Sequence, residues 1–96
     1  MIKIELVVTR HPGLVEYLAG EGLIPVGVEV ISHATTEKVA GKHVLGVLPH
    51  SLSCLTASYT EVPLRLSPEM RGKELTAADV AAIAGDPVTY RVEKIN

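Results

Sequence analysis

The sequence predicts an α/β fold with a mostly parallel sheet of about five strands and helices on both faces. Three observations carry that expectation. Segments with a period near two alternate with segments of helical spacing, in the order β-α-β-turn-β-α-β-α-β. The first and third β segments, at Leu6-Val7-Val8 and Val44-Leu45, are apolar on both faces, as strands buried in a parallel sheet are. The core is aliphatic: 47% of the 96 residues are hydrophobic, yet there is no Phe or Trp. This arrangement is a small Rossmann-like sandwich with right-handed crossovers.

The first strand runs from Ile2 to Val8. Ile2, Ile4 and Leu6 alternate with Lys3 and Glu5 before the run turns wholly apolar. Thr9-Arg10-His11 ends it abruptly. Pro12 suits a first helical position, where its missing N–H has no partner to lose. Leu14, Val15, Leu18 and Ala19 have helical spacing, and Gly20 and Gly22 stop it. Glu16 and Glu21 belong to the solvent face and Tyr17 packs at the flank. Pro25 opens a second β segment over 26–31, followed by a polar loop from Ser32 to Thr36. One helical turn fits Glu37 to Gly41.

His43 opens a third strand, Val44 to Leu48, in which Gly46 signals close approach of another backbone or a helix. Leu52, Leu55 and Thr56 then give a short helical stripe. A fourth strand is expected over Glu61–Leu66, pushed to an edge or bulged by Pro63. Ser67 to Glu74 is a polar connection. Thr76 caps the next helix, with Asp79 in the capping-box position and Leu75 and Val80 spaced as a hydrophobic staple. Val80, Ile83 and Ala84 face the core, and Gly85-Asp86-Pro87 ends the helix. Val88 to Val92 alternates as a last, exposed edge strand.

Composition bounds the function. The length fits one domain over 1–96. A net charge of −2 argues against long nucleic acid held on a broad basic face, but leaves room for a small anion held by a few local cations. The single cysteine, Cys54, excludes an intrachain disulfide and reads as a buried, inert thiol in a reducing, cytoplasmic setting. No signal-peptide pattern is present, and no apolar run nears the ~20 residues of a membrane span, so no membrane partner is expected.

In an open α/β sheet, ligands bind outside the carboxyl ends of the strands. Thr9, Arg10 and His11 fall there. The amides of Gly13 and Leu14, in the first turn after Pro12, lack intrahelical partners and add donors. Together these groups describe an anion site, most simply for phosphate. His11, His33 and His50 each follow a strand and share this edge, whereas His43 precedes one and lies at the opposite end. Pro49, His50 and Ser51, at the tip of the third strand, are candidate contacts. Arg71 and Lys73 either clamp the ligand or are solvated loop cations balanced by Glu69 and Glu74. Arg10-His11 could equally do no more than cap the sheet edge. No histidine pair has zinc-ligand spacing, so neither a metal nor another cofactor is expected. The Arg-His step also resembles the R-H-G motif of histidine phosphatases, but Pro12 stands where that motif has Gly.

Val8-Thr9-Arg10-His11-Pro12-Gly13, then Glu16-Tyr17, Val44-Leu45-Gly46-Val47-Leu48-Pro49, Val62-Pro63-Leu64-Arg65-Leu66 and Arg71-Gly72-Lys73-Glu74-Leu75 follow one pattern in order across nearly the whole chain. The pattern resembles a small CRISPR-associated family accompanying type III systems, with [ST]-R-H-P-G, G-x-L-P and R-G-[KR]-E-L steps. Tyr17 stands where that family has Trp, and His50-Ser51 where it is apolar or amide-bearing. The family is similar to ring nucleases, which cut cyclic oligoadenylate second messengers and switch off the antiviral response. The resemblance implies a homodimer related to the CARF sensor fold, with the cyclic ligand across the two-fold axis.

The chemistry such a site performs can be stated independently. A ribose 2′-OH attacks its own 3′-phosphodiester, giving a 2′,3′-cyclic phosphate without a metal or a protein nucleophile. The protein aligns the attack and stabilises charge on the phosphorane. Arg10 suits the charge role through its fork geometry, and His11 suits proton transfer near neutrality. Thr9 could hold a phosphate oxygen. Three readings follow: a metal-independent ring nuclease, most simply of cyclic tetra-adenylate; a module that sequesters the cyclic nucleotide without cutting it; and a generic anion-binding subunit.

Overall fold

Strand pairing decides which loops share an edge of the sheet. The computed structural model describes residues 2–96. Its strands are β1 (Leu6–Val8), β2 (Glu29–Ile31), β3 (His43–Gly46), β4 (Ser58–Glu61) and β5 (Val88–Tyr90). Its helices are α1 (Pro12–Gly20), α2 (Thr36–Val39), α3 (His50–Ser53) and α4 (Ala77–Ile83), with a 3-10 turn at Pro68–Met70. The sheet order is β2-β1-β3-β4-β5, parallel except for β5, which is antiparallel on β4. This is the expected small Rossmann-like α/β architecture. From β1 the chain first returns on one side as β2, then crosses to the other as β3. Val8 therefore ends up between Ile31 and Gly46. The winding reverses at β1, which is where doubly wound sheets open a crevice.

Two aliphatic layers clamp the sheet. On one face α1 and α4 bury Leu14, Leu18 and Val80 against Val7 and Leu45. On the other, Val39 of α2 and Leu48 before α3 join Leu6, Val8, Val44 and Tyr59. Alternation along β1 accounts for the division, since Leu6 and Val8 point one way and Val7 the other. Tyr17 packs at the flank of α1 as expected. Gly46 has φ +153°, and a Cβ there would collide with the carbonyl oxygen of Val8. The anticipated close approach is thus that of the neighbouring strand's backbone.

The fourth strand differs from expectation. It spans Ser58–Glu61 rather than Glu61–Leu66. Pro63 has no N–H for a ladder, and the buried pairing with β3 is taken by Ser58, Tyr59 and Thr60. The alternating segment after it instead runs past α4. It bridges Leu64 to Ala84 and bonds Arg65 N–H to the Ile83 carbonyl at 3.0 Å. The first two strands are shorter than their apolar runs. Residues 2–5 stay outside the ladder, although Glu5 N–H reaches the His43 carbonyl at 2.8 Å, and Gly27, at φ +79°, turns the chain before β2. The last strand is an exposed edge as expected, but stops at Tyr90.

The α4 capping box forms as read. Thr76 Oγ1 accepts from the Asp79 N–H at 3.1 Å, and Asp79 accepts from the Thr76 N–H at 3.0 Å. That second bond, to the charged form, holds the Asp79 carboxyl below the usual aspartate value. A depressed carboxyl contributes stability above its unfolded pKa and loses it as pH falls through the folded one. Thr76→Ala should cost about 1 kcal/mol in urea titration at neutral pH. Asp79→Asn should flatten the acid side of the stability profile below about pH 4. An unchanged acid limb in that variant would rule out the link.

Candidate functional site

The loop after β1 is built by main-chain bonds that leave its side chains free. Thr9 continues the ladder by one bond, its N–H reaching the Ile31 carbonyl at 2.9 Å. Its hydroxyl then accepts from the His11 N–H at 3.1 Å, which folds the Arg10 step into a bend. His11 takes the N-cap of α1 in an extended conformation, with Pro12 next, and its ring makes no capping bond. Arg10 and His11 are both exposed.

One of the two amides expected to be free is occupied. Leu14 N–H donates to the His11 carbonyl at 3.0 Å, and Val15 N–H reaches the same oxygen at 3.4 Å. The helix opens with a tighter three-residue turn, and that turn consumes the donor. Gly13 N–H has no such partner among the described residues. Gly13 itself is buried, because a Cβ would meet the Leu75 carbonyl and lie 2.7 Å from the Thr76 carbonyl carbon. Its lack of a side chain lets α1 sit directly on the backbone that starts α4. That contact brings the Arg71–Leu75 loop beside Arg10.

Three depressions meet at this point, and Arg10 and His11 line all of them. The first, of about 590 Å³, lies between the start of α1 and the tip of β2 and includes Thr9, Pro12, Glu16 and Ser32. The second, of about 540 Å³, lies against the loop before α4 and includes Pro12, Arg71, Lys73 and Glu74. The third, of about 560 Å³, opens between the tips of β1 and β3 and includes Thr9, Leu14, His33 and Pro49. Four cationic or titratable side chains, Arg10, His11, Arg71 and Lys73, therefore share one hollow. Among the described residues the one ion pair is Lys38–Glu29, at 2.7 Å on the surface. Among the described residues neither Arg71 nor Lys73 forms an ion pair with Glu69 or Glu74, although Glu74 lines the same depression.

His50 and Ser51 line none of the three depressions; they lie exposed in the first turn of α3. His33 does share the third with His11. His43 is at the far end, its Nδ1 2.7 Å from Ser58 Oγ. Glu16 is exposed, as its spacing predicts, and also lines the first depression. The available signal was its position one turn beyond Pro12, on the same helix face. Among the described residues, no group of three or more His, Cys, Asp and Glu side chains is placed to hold a metal ion.

The third depression has a support that no local pattern in the sequence signals. Tyr59 on β4 is buried, and its hydroxyl accepts from the Leu48 N–H at 3.0 Å. This bond fixes the loop that carries Pro49. Burial pushes the phenol above its ordinary pKa, partly offset by the bond, so the group stays neutral. Tyr59→Phe would leave a buried N–H unpaired. The expected cost is about 1–3 kcal/mol in a denaturant titration. A variant as stable as the parent would show that water reaches Leu48.

Compared with family models, residues 6–93 match the family described as "Putative CRISPR-associated protein (Cas_VVA1548)". No curated protein and no solved structure shows a significant match. Among the described residues, no helix is long and apolar enough to cross a membrane.

Proposed function

The chain belongs to the Cas_VVA1548 family of CRISPR-associated proteins, and on that premise we propose that it is a ring nuclease of cyclic oligoadenylate. One observation carries the reading. Arg10 and His11 are common to three depressions at the carboxyl edge of the sheet, where the winding reverses. A site of this kind offers several adjoining hollows around a single cationic point, which suits a ligand with several nucleotides.

In the proposed reaction the ribose 2′-oxygen bonds to phosphorus and the bond from phosphorus to the 5′-oxygen breaks. The 2′ proton leaves to a base, and the 5′-oxygen gains a proton as it departs. His11 serves one of these transfers. Arg10 offsets the charge on the phosphorane through charge-assisted bonds. Thr9 retains donor capacity toward a phosphate oxygen, while Arg71 and Lys73 hold a neighbouring phosphate. No metal takes part in this scheme. Cyclic tetra-adenylate is the expected ring, and a ligand of that size calls for a second copy of the chain related by two-fold symmetry.

The test is to incubate the protein with cyclic tetra-adenylate and resolve the products by chromatography. Linear products are expected. Intact ring retained by the protein would make it a sequestering module, and intact ring unbound would overturn both nucleotide readings.

A further inference from the structure

We propose that the cleft between the tips of β1 and β3 and the segment Val62–Leu66 is a nucleobase slot, with the phosphate of the same nucleotide on Arg10 at its rim. The inference rests on the nucleotide-binding reading above, but its test uses no cleavage. The cleft measures about 560 Å³, within the range of roughly 300–1,000 Å³ for small-molecule sites.

Its chemistry is divided by position. The walls are aliphatic: Leu48 is buried, Leu52 and Leu64 are half-buried, and Leu66 stands at 40% exposure near the mouth. Polar side chains, those of Thr9, Arg10, His11, Ser32 and His33, belong to the loops at the strand tips. The other two hollows each contain a carboxylate, Glu16 in one and Glu74 in the other, whereas this one has Arg10 and no carboxylate. An aliphatic slot with a cation at its entrance fits a flat, weakly polar group tethered to an anion. A base joined through ribose to phosphate has that form. Burying its faces against Leu side chains gains apolar contact without aromatic stacking.

The slot is also preformed. Gly46 contributes no side chain at the β3 tip, because none fits beside the Val8 carbonyl. The Tyr59 hydroxyl holds the Leu48 wall through its N–H. The aliphatic walls take the base by shape, and Thr9, Ser32 and His33 offer polar side chains to read its edge.

The experiment is a methyl-resolved NMR titration of the full chain with adenosine 5′-monophosphate, ribose 5-phosphate and octanoate. The monophosphate should shift the methyl signals of Leu48, Leu52, Leu64 and Leu66. Ribose 5-phosphate should perturb Arg10 and His11 and leave those methyls in place. Leu66→Trp, which fills the mouth, should weaken the monophosphate at least tenfold and spare ribose 5-phosphate. Identical patterns from the two phosphates, undiminished affinity in Leu66→Trp, a response to octanoate alone, or no response to any probe would each overturn the slot. A protein that cleaves cyclic tetra-adenylate without base-specific methyl shifts keeps the nuclease reading and loses the slot. Base-specific shifts without cleavage do the reverse.

Discussion

His11→Ala is expected to slow single-turnover cleavage of cyclic tetra-adenylate by about 10²–10⁴ while leaving affinity nearly unchanged. The local structure makes this a clean experiment. The main chain of His11 carries the contacts that shape the loop: its N–H on Thr9 Oγ1, and its carbonyl accepting from Leu14 and Val15. Its ring makes no capping bond. Removing the imidazole therefore leaves the loop and the start of α1 in place, and the loss reports on proton transfer. Arg10→Ala should behave differently. Its charge acts on phosphate in the bound ligand and in the transition state alike. Binding should weaken, and about 2–4 kcal/mol of transition-state stabilisation should be lost, by analogy with oxyanion donors. Arg10 is exposed and makes no ion pair among the described residues, so folding should be unaffected. If His11→Ala cleaves normally while Arg10→Ala does not, catalysis is positioning and charge alone.

Gly46→Ala should destabilise the whole fold by about 3 kcal/mol or more, combining overpacking with a broken ladder. The added methyl would overlap the Val8 carbonyl oxygen and stand 3.1 Å from both the carbonyl carbon and the Cβ of Val8. The obstruction is backbone in the central strand, which cannot swing away as a flexible side chain can. The φ of +153° at Gly46 adds strain for any L-residue. For a chain of this length each kcal/mol lowers the melting temperature by about 4–8 °C, so a drop above about 12 °C is expected. Gly20→Ala supplies the control. A Cβ there meets nothing within 4 Å, and alanine in a helix gains about 0.5–1 kcal/mol over glycine. Equal melting temperatures for Gly46→Ala and the parent would show that β1 and β3 can separate without cost.

The central strands were legible because burial on both faces leaves an unbroken apolar run, and the abrupt polar stop at Thr9 marked the end of β1. The α4 start was legible because Thr76 and Asp79 act locally. β4 was not, because its buried residues on both faces, Ser58, Tyr59 and Thr60, carry hydroxyls and leave no apolar run. Hydroxyls there are satisfied by partners distant in sequence, Thr60 by Thr89 at 2.8 Å and Tyr59 by Leu48. Val62-Pro63-Leu64-Arg65-Leu66 meanwhile alternates as a strand would, yet lies along α4. The same non-locality hid part of the site. Arg71 and Lys73 line a depression with Arg10 next to the point where Gly13 lets α1 settle on Leu75. The aliphatic wall of Leu48, Leu64 and Leu66 assembles from segments that look like ordinary core.

The central claim is that Arg10 and His11 direct the ribose 2′-OH against its own phosphodiester. The most direct measurement is the mass and terminus of the product formed from cyclic tetra-adenylate in EDTA and heavy-oxygen water. Attack by the 2′-OH adds no water, so the first linear product must have the mass of the ring, end in a 2′,3′-cyclic phosphate and carry no heavy oxygen. It should form at full rate in the chelator and fail to form with the Arg10→Ala, His11→Ala double variant. A product that carries solvent oxygen at its first appearance, or that forms equally fast with the double variant, would contradict the account.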